Sequence, residues 1–98
     1  MDVVFEDDSL KKLEEDPAYD AGFERAIVRA YRMRLQLIRA SQDERAFYSM
    51  KSLHYEKLKG DRDGQHSMRL NKQWRLILKL RKEDSGKLVV VISISDYH

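Results

Sequence analysis

The residues best equipped for chemistry stand together at one end of the sequence: Asp96, Tyr97 and His98. They follow directly on an apolar, strand-like run, Leu88-Val89-Val90-Val91-Ile92-Ser93-Ile94. A strand there would deliver a carboxylate, a phenol and an imidazole to one place. His98 is the natural proton donor or acceptor, because an imidazole titrates near neutrality. A second, cationic group runs from Lys57 to Arg75. Acid/base groups beside clustered cations suit a phosphodiester. Cleaving RNA through its own 2′-hydroxyl needs a base, an acid for the departing 5′-oxygen, and cations on the phosphorus oxygens.

Other chemistries fit poorly. The chain has no cysteine, which excludes disulfides and thiolate metal sites. His54, His66 and His98 lack metal-ligand spacing, so neither a metal nor a cofactor is expected. Gly60 and Gly64 flank an acidic turn and do not form a phosphate-cradling loop. No serine or cysteine nucleophile constellation is present.

At 98 residues, 42% hydrophobic and 37% charged, the chain makes one domain spanning residues 1–98 with a heavily solvated surface. Its longest apolar run falls far short of the ~18 residues a membrane span needs. The acidic start, Asp2 to Asp8, lacks a signal peptide's cationic region, so a cytoplasmic protein is expected. The net charge of +2 hides an asymmetry: residues 1–20 carry −6 and residues 21–98 carry +8. The basic portion has the footprint of a polyanion binder.

The elements that must position these groups follow from periodicity. Asp2 to Glu6 can form a short strand. Asp8 or Ser9 caps a short helix that Pro17 stops. Phe23, Ala26, Ile27, Ala30, Tyr31, Leu35 and Ile38 predict a helix from Ala21 to Ala40. Ser41-Gln42-Asp43-Glu44 reads as a capping box for a helix running to Met50, with Ala46, Phe47 and Met50 buried. The period then becomes two, predicting strands at Leu53–Lys59, Gln65–Leu70, Trp74–Arg81 and Lys87–Ser95. The expected class is α+β: a small antiparallel sheet of four to five strands with two to three amino-terminal helices on one face.

Register carries this reading toward function. A two-residue loop after Leu70 would mix core and solvent residues on each face. A three-residue loop, Asn71-Lys72-Gln73, instead pairs Leu70 with Trp74, Met68 with Leu76 and His66 with Leu78. Trp74 and His66 then fall on the apolar face. Arg69 and Arg75 lie opposite one another on the other face, with Lys79 further along. Like charges facing each other across a sheet cost stability. Either an anion offsets the cost or a nearby acid such as Glu56 does.

With Leu58-Lys59-Gly60-Asp61-Arg62-Asp63-Gly64, Ser67-Met68-Arg69-Leu70-Asn71-Lys72-Gln73-Trp74-Arg75 and Asp96-Tyr97-His98 in place, the chain resembles the RelE/ParE toxin superfamily. More narrowly it resembles the HigB-like toxins of type II toxin–antitoxin systems, the plasmid-maintenance killer proteins. The resemblance covers nearly the whole chain. It implies a ribosome-dependent endoribonuclease (an mRNA interferase) that cuts translated messenger RNA without a metal on the 70S ribosome. It also implies neutralisation by a helix-turn-helix, HigA-like antitoxin in a higher-order complex.

Carried over by position, the resemblance makes His98, Tyr97, Asp96, Arg75 and Lys59 the catalytic set. His98 would act as acid or base, and Tyr97 would stack on a base or donate to a phosphate oxygen. Asp96 would orient a neighbouring group, while Arg75 and Lys59 stabilise the transition state. Lys57, Arg69, His54 and Lys79 would bind RNA. Glu56 stands where some relatives have a histidine, and His54 lies two residues earlier, on the same strand face at period two. Two other functions suit the fold: gyrase inhibition of the ParE kind, and non-catalytic binding of RNA or the ribosome. A gyrase binder has no need of the terminal triplet with Lys59 and Arg75, whereas the same cations would serve the binding module.

Overall fold

Burial of one face of a twisted sheet organises the molecule. The computed structural model describes residues 1–96; the expectations for Tyr97 and His98 lie outside the described residues. Strand β1 (Asp2–Phe5) is followed by helices α1 (Asp8–Glu15), α2 (Arg25–Ala40) and α3 (Arg45–Ser49). Strands β2 (Glu56–Lys57), β3 (His66–Arg69), β4 (Trp74–Glu83) and β5 (Gly86–Asp96) complete the fold. The order across the sheet is β1-β5-β4-β3-β2. The expected α+β architecture holds, with one addition. β1 runs parallel to β5, so the sheet is mixed, and the antiparallel part is β2 to β5.

The helices lie on one side. Leu10 and Leu13 of α1, Ile27, Tyr31, Leu35 and Ile38 of α2, and Phe47 of α3 pack with Met68, Leu76, Leu78, Val89 and Val91 of the sheet. The Tyr31 hydroxyl donates to the Leu10 carbonyl at 2.8 Å and ties α2 to α1 inside this core. Arg32 adds bonds to the carbonyls of Leu13, Asp16 and Tyr19, and so pins the connection after Pro17.

Local boundaries differ from the sequence reading, each for a physical reason. α2 starts at Arg25 and not Ala21. Ala21 and Gly22 have φ of 54° and 83°, and the Asp20 carboxylate accepts from the Gly22 amide at 2.8 Å, a turn that a helix cannot contain. The capping box does not form, because the Ser41 hydroxyl donates back to the Leu37 carbonyl at 2.7 Å. The Asp43 carboxylate accepts from the Arg45 amide instead. α3 ends at Ser49, which leaves Met50 exposed where a buried residue was expected. The strand expected over Leu53–Lys59 shrinks to β2. A 3-10 turn at Lys51–Leu53 precedes it, and His54 takes a left-handed conformation with φ 46°.

The register of β3 and β4 follows the three-residue loop. His66 pairs with Leu78, Met68 with Leu76 and Arg69 with Arg75. The Asn71 carboxamide oxygen closes the loop by accepting from the Gln73 and Trp74 amides at 2.8 and 2.7 Å. β5 carries a bulge that strict alternation does not anticipate. Ile77 pairs with Ser93 but Leu78 pairs with Val91, so Ile92 is the extra residue. The bulge lets Val91 and Ile94, three positions apart, both face the core, and it turns Ser93 and Ser95 to the opposite face.

Tyr31→Phe should keep the fold and cost about 1–2 kcal/mol, the worth of a buried hydrogen bond whose acceptor loses its partner. Urea denaturation measures this. A variant as stable as the native chain would mean that the bond adds nothing to the α1–α2 contact.

Candidate functional site

The polar face of the sheet is where the charged residues of β3 and β4 meet. Arg69 and Arg75 are cross-strand partners there, as their spacing requires. The structure accommodates them through His54, which serves both. The Arg69 Nη1 lies 3.1 Å from the His54 Nε2, and an Arg75 Nη2 hydrogen bond goes to the His54 carbonyl. A guanidinium can only donate, so His54 Nε2 is the acceptor in this contact. The left-handed backbone at His54 turns ring and carbonyl toward two different arginines. Histidine is among the residues that enter that region more readily.

Arg75 is held at further points. Its Nε donates to the Ser67 hydroxyl at 2.8 Å, and its Nη2 lies 3.9 Å from the Glu56 carboxylate. Ser67 is fully buried and the Arg75 side chain is only 13% exposed, so this guanidinium is fixed and largely removed from water. Arg69 is anchored through its Nε to the Asn71 carbonyl at 3.1 Å, while its own carbonyl accepts from Arg34 of α2 at 3.0 Å. Glu56 therefore meets one arginine at long range, and His54 accepts from both. The row is completed by Ser95, opposite Arg75, and its hydroxyl shares a 2.8 Å hydrogen bond with that of Ser93.

The other candidate residues are distributed more widely. Lys79 lies two positions beyond Ile77 on the same face and is 3.3 Å from the Glu6 carboxylate. Lys57 pairs with His66, which puts it on the helix side of the sheet at its β2 edge. Lys59 is exposed and immediately precedes a 3-10 turn at Gly60–Arg62. Asp96 pairs with Trp74, one position beyond the Ser95–Arg75 pair, so the bulge sends it to the helix side as well. Its carboxylate accepts from the Gln73 carboxamide at 2.9 Å. Ser67 was not picked out by residue type. Its signal was positional: two residues before Arg69 on the same face, and diagonal to Arg75.

On the helix side, His66 stacks on Tyr55 with ring centroids 5.3 Å apart. Burial, and next the charge of Lys57, lowers the His66 pKa from its ordinary 6.5, while Glu44 opposes the shift. The described residues contain no group of three or more potential metal ligands.

The chain carrying this sheet, with arginines on one face and helices on the other, matches a known family. The family model described as the RelE-like toxin of the type II toxin–antitoxin system HigB matches residues 3–98. The chain belongs to this HigB-like toxin family. Solved structures support the fold of the toxin. A YoeB/ParE toxin from Agrobacterium tumefaciens superposes with a TM-score of 0.64 at 22% identity, with both chains covered in full. A chain of the YoeB-YefM complex from Staphylococcus aureus gives 0.59 at 18% identity, covering 100% of this chain and 97% of that one. YafQ from E. coli gives 0.57 at 14% identity, with 97% and 91% covered. No curated protein sequence matches the toxin.

Two outcomes follow from this geometry. Ser67→Ala should leave the toxin folded, lower its stability by about 1 kcal/mol and speed exchange of the Arg75 Nε proton. Nuclear magnetic resonance of the arginine side chains reads the exchange, and unchanged protection would remove Ser67 as the anchor. The second concerns pH. The unfolded chain takes up a proton at residue 66 before the folded toxin does, so stability falls as pH drops below 6.5. His66→Gln should flatten that part of the decline, measured as urea midpoints between about pH 7.5 and pH 5.5. An unchanged slope would assign the acid loss to other groups.

Proposed function

We propose that this toxin is a ribosome-dependent, metal-independent endoribonuclease that cuts messenger RNA during translation. The observation that carries the reading is the pair of anchored guanidiniums, Arg69 and Arg75, side by side on one face of the sheet. Cations fixed before the substrate arrives cost no reorganisation when charge develops on a phosphoryl group, and in a water-poor setting each is worth a few kcal/mol. Arg75 is the more constrained of the two and takes the role of transition-state stabiliser. Arg69 meets the RNA backbone, and Lys59 and Lys79 add cations along the substrate's course.

The reaction needs one base and one acid. A base removes the proton of the 2′-hydroxyl, its oxygen attacks phosphorus, and the 5′-oxygen leaves with a proton from the acid. The products are a 2′,3′-cyclic phosphate and a 5′-hydroxyl. His98 is assigned to one of these proton transfers and Tyr97 to stacking on a base or donating to a phosphate oxygen. Asp96 stays a positioning group, consistent with its bond to Gln73. His54, already an acceptor for Arg69, holds the cations in place and lies beside the RNA path; Lys57, at the sheet edge, contributes only at its margin. The regulatory partner is a helix-turn-helix antitoxin, as expected of a type II system, and the working compartment is the cytoplasm.

Primer extension on messenger RNA from translating ribosomes tests the proposal. Cuts should appear only when the toxin and translation are both present, and a chelator should not abolish them. His98→Ala should lower cleavage by about 10²-fold or more, the scale of general acid–base catalysis, while the protein still folds. Intact message together with altered DNA supercoiling would support gyrase inhibition instead.

A further inference from the structure

Arg25 and Arg29 stand apart from the other arginines. The guanidiniums of Arg32, Arg34, Arg39, Arg45, Arg62, Arg69, Arg75 and Arg81 each donate to a carbonyl or a side chain. Among the described residues Arg25 and Arg29 have no such acceptor, and both are exposed. They lie one turn apart at the start of α2, whose first turn contains no acid. Like charges at this spacing repel, and cations at a helix amino terminus oppose the helix dipole. The arrangement is unfavourable in the isolated toxin and becomes favourable beside an anionic surface.

The surface between these charges is apolar. Arg25, Arg29 and Met33 form one ridge at four-residue spacing, and Ala26, Ala30 and Arg34 form the next. The groove between the two ridges has a volume of about 420 Å³, and its two alanines leave room for a partner's side chains. Met33 is 55% exposed, which is high for a large apolar side chain. Ridges and grooves of this spacing are what a second helix packs against. A nucleic-acid backbone would use the arginines but has no use for the alanine groove or the exposed methionine.

We propose that the outer face of α2 docks an acidic amphipathic helix of the antitoxin, with apolar side chains in the Ala26–Ala30 groove and carboxylates beside Arg25 and Arg29. The assignment to the antitoxin rests on the type II reading above. The docking surface itself does not depend on the nuclease mechanism.

The test mixes full-length toxin with the antitoxin that neutralises it and measures affinity by calorimetry, without ribosomes. Two variants separate charge from shape: Arg25→Glu/Arg29→Glu, and Ala26→Trp, which fills the groove without changing charge. Circular dichroism verifies that both are folded. Each should weaken the complex at least tenfold and still inhibit growth when no antitoxin is present. Unchanged affinity in both variants would overturn the proposal. So would loss of translation-dependent cleavage in the charge variant with antitoxin affinity intact, which would make the face an RNA surface. Self-association of the toxin alone that the charge variant abolishes would assign the face to a second copy, and would equally overturn it. Absence of cleavage by the native toxin, with both binding losses as expected, would count against the nuclease reading alone.

Discussion

Two guanidiniums facing each other across β3 and β4 are the constraint around which the site is arranged. Left alone they would repel, and in a half-buried setting the repulsion is poorly screened. Among the described residues, His54 accepts hydrogen bonds from both. His54 offers its ring to Arg69 and its carbonyl to Arg75, while the Glu56 carboxylate stays 3.9 Å from Arg75. Hydrogen bonds to carbonyl, hydroxyl and imidazole acceptors fix the positions of the guanidiniums without removing their charge.

That arrangement depends on the helical layer behind it. The core residues of α1, α2 and α3 pack against one sheet face, and this burial holds the register of β3, β4 and β5. A slip of one residue would carry Arg69 and Arg75 into the core. The two sides also communicate directly, since Arg34 of α2 donates to the carbonyl of Arg69. Stability and site geometry therefore share the same contacts, while the outer face of α2 is left for a partner.

Much of this was legible in the residues. The alternation from Gln65 onward, combined with the choice of a three-residue loop, located the arginine pair and the apolar partners of His66 and Met68. What escaped was local. Nothing in residue type marks Ile92 as a bulge, because alternation offers two equally apolar frames through Val90, Val91 and Ile92. The left-handed turn at His54 was hidden inside a segment that reads as a strand, and it shortened that strand to Glu56–Lys57, although His54 and Glu56 still share the face of Arg75. The capping box at Ser41 was lost to a competing bond from the same hydroxyl to Leu37.

The sequence by itself determined the α+β class, the antiparallel hairpins and the cationic face, because periodicity and charge placement are properties of neighbouring residues; its motifs carried the family resemblance. Tertiary structure decided which candidates share a face. The bulge turns Ser93 and Ser95 toward Arg75 and sends Asp96 to the side of Trp74, since one inserted residue reverses every side chain after it. His54 met both arginines only because a backbone turn brought residues 15 and 21 positions away within hydrogen-bonding reach. Contacts of that kind arise when the whole sheet closes, and no window of sequence contains them.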